Sequence, residues 1–110
     1  MLDDVERVVI SNLANRCYQT SASKGFWDAA RNKGEMIALM HSELSEMLEG
    51  IRKPTQDHHC PQFTSEEVEL ADLIIRALDY AGGFELDLAG ALDAKMRFNK
   101  ERPHLHGKKF

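Results

Sequence analysis

The sequence predicts an all-α protein built as a four-helix bundle, and three observations favour this fold class. Apolar residues recur at the helical spacing of about 3.6 residues along most of the chain. The period-two alternation and the Asn-Gly or Asp-Gly turns that mark β-hairpins are missing from the sequence. The chain has 110 residues, which is the size of one domain with its own core. We therefore expect residues 1–110 to fold as a single helical domain.

Start and stop signals for four helices follow one another along the chain. The predicted helices cover about residues 3–22, 34–52, 64–83 and 85–102. Pro54 stops the second helix and Pro103 the fourth, because proline cannot continue a helix. Thr64 or Ser65 is the expected N-cap of the third helix. Residues 53–63 carry no periodicity and are predicted to form a loop.

The composition excludes several classes of protein. A net charge of −4 argues against a general nucleic-acid surface. No apolar run approaches the roughly 20 residues that a membrane-spanning helix needs. Two cysteines, Cys17 and Cys60, are too few for a disulfide framework. We expect a soluble, cytoplasmic protein without nucleic-acid or membrane partners, and a basic tail at 103–110 that is flexible without a ligand.

The second predicted helix carries carboxylates beside an apolar face. On a helical wheel, seven apolar residues share an arc of about 120°. They are Met36, Ile37, Met40, Leu44, Met47, Leu48 and Ile51. Glu43 lies at the edge of this arc, and Glu46 follows one turn later. Burying such a carboxylate without a cation is costly, which points to a cation beside it.

The third predicted helix is apolar around most of its circumference, and its polar residues beyond the first turn form one narrow stripe. The stripe contains Glu69, Asp72, Arg76 and Asp79. A single pair of acids one turn apart is usually a solvated face with local salt bridges. Here two helices each place a pair at an apolar border, so four acids can meet around a hard divalent cation.

Four blocks of sequence carry a family resemblance. The first two are Gly25-Phe26-Trp27 and Asn32-x-Gly34-Glu35, and the third is the run from Ile37 to Glu49 that contains Glu43 and Glu46. The fourth is Lys95-Met96-x-x-Asn99-x-x-Arg102-Pro103-x-x-His106-Gly107-Lys108-Lys109-Phe110. Together with the ExxE and ExxD pairs, residues 25–110 resemble the short, single-domain MazG-like nucleotide pyrophosphohydrolases.

The resemblance implies a fold, a cofactor and a reaction. It implies the all-α NTP pyrophosphatase fold, assembled as a homodimer or homotetramer. It also implies a Mg²⁺ site, with Mn²⁺ as a substitute, at Glu43, Glu46, Glu69 and Asp72. The implied reaction cleaves a nucleoside triphosphate, (d)NTP, to (d)NMP and pyrophosphate, for house-cleaning or control of the nucleotide pool. The two-domain layout of full-length MazG is absent, so its regulatory roles do not carry over.

Further site residues follow from this expectation. Glu46 is the candidate general base, because it lies off the apolar arc and nearer water, with Glu43 as its catalytic neighbour. The candidate substrate-binding residues are Trp27, Arg76, Lys95, Asn99, Arg102, Lys108 and Lys109. Trp27 is expected to stack on the base, whereas Phe26 is expected to fill the core.

Competing interpretations stay open at this point. A dUTPase-like enzyme would use the same carboxylate core, and a non-enzymatic module would use the apolar third helix only as an oligomer interface. A di-iron bundle needs two Glu-x-x-His motifs, and the one match, Glu101 to His104, is interrupted by Pro103. The run His58-His59-Cys60 lacks a second ligand pair, so it is predicted to be loop rather than a zinc site.

Overall fold

The computed structural model describes residues 1–109, and this part of the chain is helical. Its helices are α1 (Asp4–Ser23), α2 (Lys33–Arg52), α3 (Ser65–Gly83) and α4 (Leu88–Glu101), followed by a 3₁₀ turn at His104–Gly107. Within residues 1–109 the one strand-like pairing is an isolated bridge between Gln56 and Thr64. The predicted all-α fold with four helices is therefore confirmed. None of the described helices combines the length and apolar character needed to cross a membrane.

Side-chain caps explain where the helices begin. Thr64, predicted as a cap, accepts a hydrogen bond from the backbone N–H of Glu67, whose carboxylate accepts one from Thr64 in return. The predicted start of the fourth helix, near residue 85, is wrong. Glu85 has a left-handed φ of 55°, which a continuing helix does not allow. Asp87 caps the N–H of Gly90 instead, so α4 begins at Leu88.

The central helix of the bundle is α3, which packs against both α1 and α2, while α4 packs against α1. The backbone of α1 comes so close to Gly82 that a Cβ there would lie 2.5 Å from the carbonyl oxygen of Ala14. A Cβ at Gly83 would overlap the ring of Trp27. The glycine pair at the end of α3 therefore allows α1 and the α1–α2 connection to pack closely on this helix.

The outer faces of three helices are strongly apolar. The large apolar side chains exposed on these faces are Val5, Val8, Val9, Ile37, Leu44, Leu48, Ile51, Leu70 and Ile74. On α3 the polar stripe turns inward toward α2, while Ile74 on the outer face remains 52% exposed. This arrangement is the reverse of an ordinary surface helix, whose apolar stripe faces the core. An exposed apolar surface of this kind is typical of a protein–protein interface.

Candidate functional site

Three of the four predicted metal ligands meet between α2 and α3. Glu43 from α2 and Glu69 and Asp72 from α3 each offer a carboxylate oxygen, and these oxygens lie within 4.8 Å of one another. The i, i+3 spacing brings Glu69 and Asp72 onto one face of α3, and the packing of α2 on α3 supplies Glu43. Glu46 is exposed and lies outside this triad, although its charge reaches Glu69.

When both glutamates are ionised, the triad contains buried carboxylate oxygens that nothing in residues 1–109 satisfies. Glu43 is only 6% exposed, and its Oε1 accepts a hydrogen bond of 2.8 Å from Nε of Arg76. The second oxygen of Glu43, Oε2, is buried without a hydrogen-bond partner in residues 1–109, and the same is true of Oε2 of Glu69. A buried polar atom left unpaired costs about 1–3 kcal/mol, and more when it is charged. A cation between the carboxylates would remove this cost.

The acids of the triad differ in charge state. Burial, together with Glu43 and Glu46, raises the pKa of Glu69 to about 8. Burial and the charge of Glu43 also raise the pKa of Asp72. Burial acts to raise the pKa of Glu43, but hydrogen bonds with Arg76, Glu69 and Glu46, together with the charge of Arg76, outweigh it, so this pKa lies below its ordinary value. Without a metal, Glu43 is therefore ionised and bound to Arg76, while Glu69 keeps its proton near neutral pH.

A cleft of about 750 Å³ opens beside the triad, between α1 and α2 and above α3. Glu43 of α2 and Asp72 and Arg76 of α3 line it, so the acids and the predicted substrate-binding arginine face the same space. The volume is within the range of small-molecule sites in proteins. Arg76 thus lies where the prediction needs it, although its Nε is already bound to Glu43.

The two adjacent aromatic residues are placed differently from the expectation. Trp27 donates a hydrogen bond of 2.9 Å from Nε1 to Asp79, and its ring packs edge-on against Tyr18 and Phe84. Phe26 is 63% exposed and lines the cleft. The expectation that Phe26 fills the core is wrong, because the indole N–H gives Trp27 a buried partner that Phe26 cannot use. Stacking of Trp27 on a base stays a prediction, and the packing of its ring weighs against it.

Asp79 is a structural residue that the sequence analysis placed only in the polar stripe. Besides binding Trp27, it forms an ion pair of 3.2 Å with Arg31, whose guanidinium lies 5.1 Å from the Trp27 ring. The sequence contains one signal for this contact: Asp79 lies on an otherwise apolar turn of α3, and a buried acid needs a hydrogen-bond donor. This contact fixes the α1–α2 connection at one end of the cleft.

The predicted C-terminal substrate residues do not line the cleft. Lys95 and Asn99 are exposed on α4, and Lys95 lies 4.6 Å from the ring of Phe98. Arg102 also lies over that ring, at 5.4 Å. Lys108 and Lys109 are exposed beyond the 3₁₀ turn. Because α4 packs on α1, the protomer does not bring these residues to the acidic triad, and their role in substrate binding stays a prediction.

The chemistry of the donor set fits a hard divalent cation. The triad consists only of carboxylates, and oxygen ligands of this kind are those that Mg²⁺ and Mn²⁺ prefer. A divalent cation held by Glu43, Glu69 and Asp72 would have coordination positions left for water and for a phosphate oxygen. Comparisons of the chain with protein-family models, with curated proteins and with solved structures find no match.

Proposed function

We propose that this protein is a Mg²⁺-dependent nucleoside triphosphate pyrophosphohydrolase that converts (d)NTP to (d)NMP and pyrophosphate. The observation that carries the proposal is the pair of buried, unpartnered oxygens of Glu43 and Glu69 beside Asp72. These oxygens favour a divalent cation, and the open cleft beside them offers space for a nucleotide. The reaction class comes from the MazG-like sequence blocks at residues 25–110.

Glu43, Glu69 and Asp72 are the residues that would hold the metal, with Glu46 at the rim of the site. When bound, Mg²⁺ neutralises phosphate charge and lowers the pKa of a nearby water. Glu46 is exposed at the rim next to Glu69, so it can accept the proton of the attacking water. Arg76, which lines the cleft, can donate hydrogen bonds to a substrate phosphate while its Nε orients Glu43.

The reaction balances without a protein nucleophile. The water oxygen forms a bond to the α-phosphorus, and the bond from the α-phosphorus to the bridging oxygen breaks. The proton passes to Glu46, and the bridging electron pair leaves with pyrophosphate. Burial of Glu43 keeps its carboxylate fixed against Arg76, so that the ligand geometry exists before substrate arrives.

We also propose that the active form is a homodimer or a homotetramer. The apolar faces of α1, α2 and α3 support this assembly, because residues such as Ile74 and Leu48 are 52% and 57% exposed on the protomer. The same faces would serve a purely structural module, the main non-enzymatic alternative. A structural module gives no reason to bring three carboxylates within 4.8 Å of one another beside an open cleft, and this favours the enzyme.

Hydrolysis in ¹⁸O-labelled water, across a panel of nucleoside triphosphates with Mg²⁺, tests the reaction. We expect pyrophosphate release and one ¹⁸O in the nucleoside monophosphate, as attack at the α-phosphorus requires. Label in orthophosphate would show attack at the γ-phosphorus and make the protein a phosphatase. Turnover confined to dUTP would select the dUTPase-like alternative. A panel without any Mg²⁺-dependent turnover would refute the enzyme.

A further inference from the structure

Two cations, Arg16 in α1 and Lys24 directly after its last residue, lie on the wall of the cleft formed by α1. With Thr20 between them they follow at i, i+4 and i+8, so they lie along one side of the helix. All three line the cleft that also contains Glu43 and Asp72. The cleft therefore has acids on its α2–α3 side and cations on its α1 side.

The cations of this wall are available to a ligand. Within residues 1–109, neither Arg16 nor Lys24 forms an ion pair within 4.0 Å, whereas Arg31 is paired with Asp79. Both Arg16 and Lys24 are exposed. The charge of Arg16 nevertheless reaches the thiol of Cys17, which lines the same wall. Two unpaired cations opposite an acidic cluster form a surface that complements a metal-bound polyphosphate.

We infer that the α1 wall is the phosphate-binding wall of the substrate site, where Arg16 and Lys24 bind the outer phosphates of a nucleoside triphosphate whose α-phosphate lies at the carboxylate triad. This inference rests on the proposed function. It assigns binding of the leaving pyrophosphate to cations at α1 and not to Lys95, Lys108 and Lys109, which do not line the cleft. A cleft of about 750 Å³ has room for a nucleotide of this size.

Cys17 provides a direct probe of the cleft, because it is half-buried in the α1 wall and Cys60 is exposed elsewhere. The variant Cys60→Ser leaves Cys17 as the single thiol, and Cys17→Ser leaves Cys60. Burial, with the charge of Asp79 second, raises the pKa of Cys17, so alkylation with a small uncharged reagent is run at about pH 9. The ligand is an α,β-imido nucleoside triphosphate with Mg²⁺, which cannot be cleaved at the α–β bridge.

We expect the nucleotide to slow alkylation of Cys17 about tenfold at ten times its Kd, and to leave Cys60 unaffected. Arg16→Gln and Lys24→Gln should each weaken nucleotide binding about tenfold or more, with Mg²⁺ affinity unchanged. Arg7→Gln is the matched control, because Arg7 lies on α1 but does not line the cleft. Its nucleotide affinity should equal that of the parent protein.

The opposite outcomes separate this inference from the proposed function. Normal Mg²⁺-dependent turnover without protection of Cys17, or with unchanged affinity in both cation variants, would overturn the α1 wall and leave the pyrophosphohydrolase intact. A Cys17 that is unreactive in the folded protein even without nucleotide would mean that the cleft is closed to small molecules, which also overturns the inference. Loss of both turnover and nucleotide binding in the parent protein would remove the proposed function itself.

Discussion

The α2–α3 interface and the α4 helix with its tail are two regions that the MazG-like resemblance assigns to one site, yet the fold treats them differently. Between α2 and α3, three predicted ligands come within 4.8 Å of one another. On α4 and the tail, none of the predicted phosphate contacts lines the cleft, because the main packing partner of α4 in the described chain is α1. Functional residues converge where their helices pack directly, and a motif alone does not say which helices do so.

The largest expected effect sharpens the α2–α3 side of this comparison. Glu43→Gln and Asp72→Asn each remove a ligand charge from a site with three close carboxylates. We expect turnover to fall at least about 100-fold and Mg²⁺ binding, measured by calorimetry, to weaken strongly. Glu49→Gln is the control, because Glu49 is on α2 but pairs with Lys53 at 3.3 Å, away from the triad. Unchanged Mg²⁺ binding in both ligand variants would exclude the triad as the metal site.

The next effect concerns the outward apolar face of α3. Ile74→Glu places a charge on a residue that is 52% exposed in the protomer, so the fold itself has little reason to fail. If this face is an oligomer interface, self-association should weaken about 30-fold or more, as judged by sedimentation. Leu105→Glu is the control, because Leu105 is 56% exposed but lies in the C-terminal turn. A parent protein that sediments as a 12.5 kDa monomer at micromolar concentration would contradict the proposed oligomer.

The charge state of the triad predicts a smaller, graded effect of pH. The pKa of Glu69 is raised from an ordinary 4.5 to about 8, so the folded protein holds this proton more tightly than the unfolded chain does. Without metal, the contribution of Glu69 to the free energy of unfolding is full below about pH 4.5 and is lost as pH rises to about 8. Metal binding needs the ionised form, so Mg²⁺ affinity changes in the opposite direction.

Calorimetry and thermal unfolding between pH 6 and pH 8 measure this linkage. We expect Mg²⁺ affinity to rise by up to about tenfold per pH unit, with proton release, since one proton is displaced. In the metal-free protein, Glu69→Gln should reduce the decline of Tm over the same range, because the titrating group is gone. A Mg²⁺ affinity that is constant from pH 6 to pH 8 would contradict the raised pKa of Glu69.

The adjacent aromatics offer a modest effect at the rim of the cleft. Phe26 is 63% exposed and lines the cleft, so we expect it, in place of Trp27, to contact the base. Phe26→Ala should then raise KM a few-fold, because a base stacked fully on a ring gains about 1–3 kcal/mol and one at an exposed edge gains less. Trp27→Phe keeps a ring but loses the 2.9 Å hydrogen bond to Asp79. We therefore expect this variant to have a lower Tm, whereas Phe26→Ala should change KM and leave Tm unchanged. Steady-state kinetics and thermal unfolding of both variants distinguish the roles. An unchanged KM in Phe26→Ala would remove Phe26 from base binding.

Periodicity was sufficient for the number of helices, though not for the start of α4, and for three of the four acids predicted to meet. The wheel put Glu43 at the edge of the apolar arc and the acids of α3 in one stripe, and packing of α2 on α3 follows from those apolar positions. It did not show that the stripe turns inward while Ile74 faces outward, because the wheel gives angles and not the neighbour that covers them. The placement of Trp27 depended on Asp79, a partner distant in sequence, and so had no local signal.

The α1 wall escaped sequence reasoning for a related reason. Arg16 and Lys24 look like an ordinary solvated helix face, and their spacing gains meaning only when α1 lies across a cleft from the acids of α2 and α3. The C-terminal cations are the converse case. Their motif resembles a MazG-like block, but α4 packs on α1 and does not bring them to the acids of α2 and α3. Spatial proximity, which one sequence does not record, separates the two sets of cations.

Deletion of residues 107–110 gives the smallest expected effect and tests the α4 side of the comparison. Lys108 and Lys109 are exposed, and exposed charge pairs are worth about 0.2–1 kcal/mol. If the tail contributes only to binding, KM should rise a few-fold at most while kcat stays constant. Deletion of Phe110 alone is the control, because it keeps both lysines.

A much larger rise in KM, above about tenfold, would mean that the tail grips the substrate strongly. The acidic triad lies between α2 and α3, whereas the 3₁₀ turn before Lys108 follows a helix packed on α1. In that case the tail would have to reach the site of a partner subunit. Mixing the truncated chain with an Asp72→Asn chain then separates the possibilities, since activity regained in the mixture requires one protomer to supply the tail and the other the carboxylates. If the truncation changes KM only slightly and the mixture regains no activity, the α1 wall remains the proposed binding site for the outer phosphates.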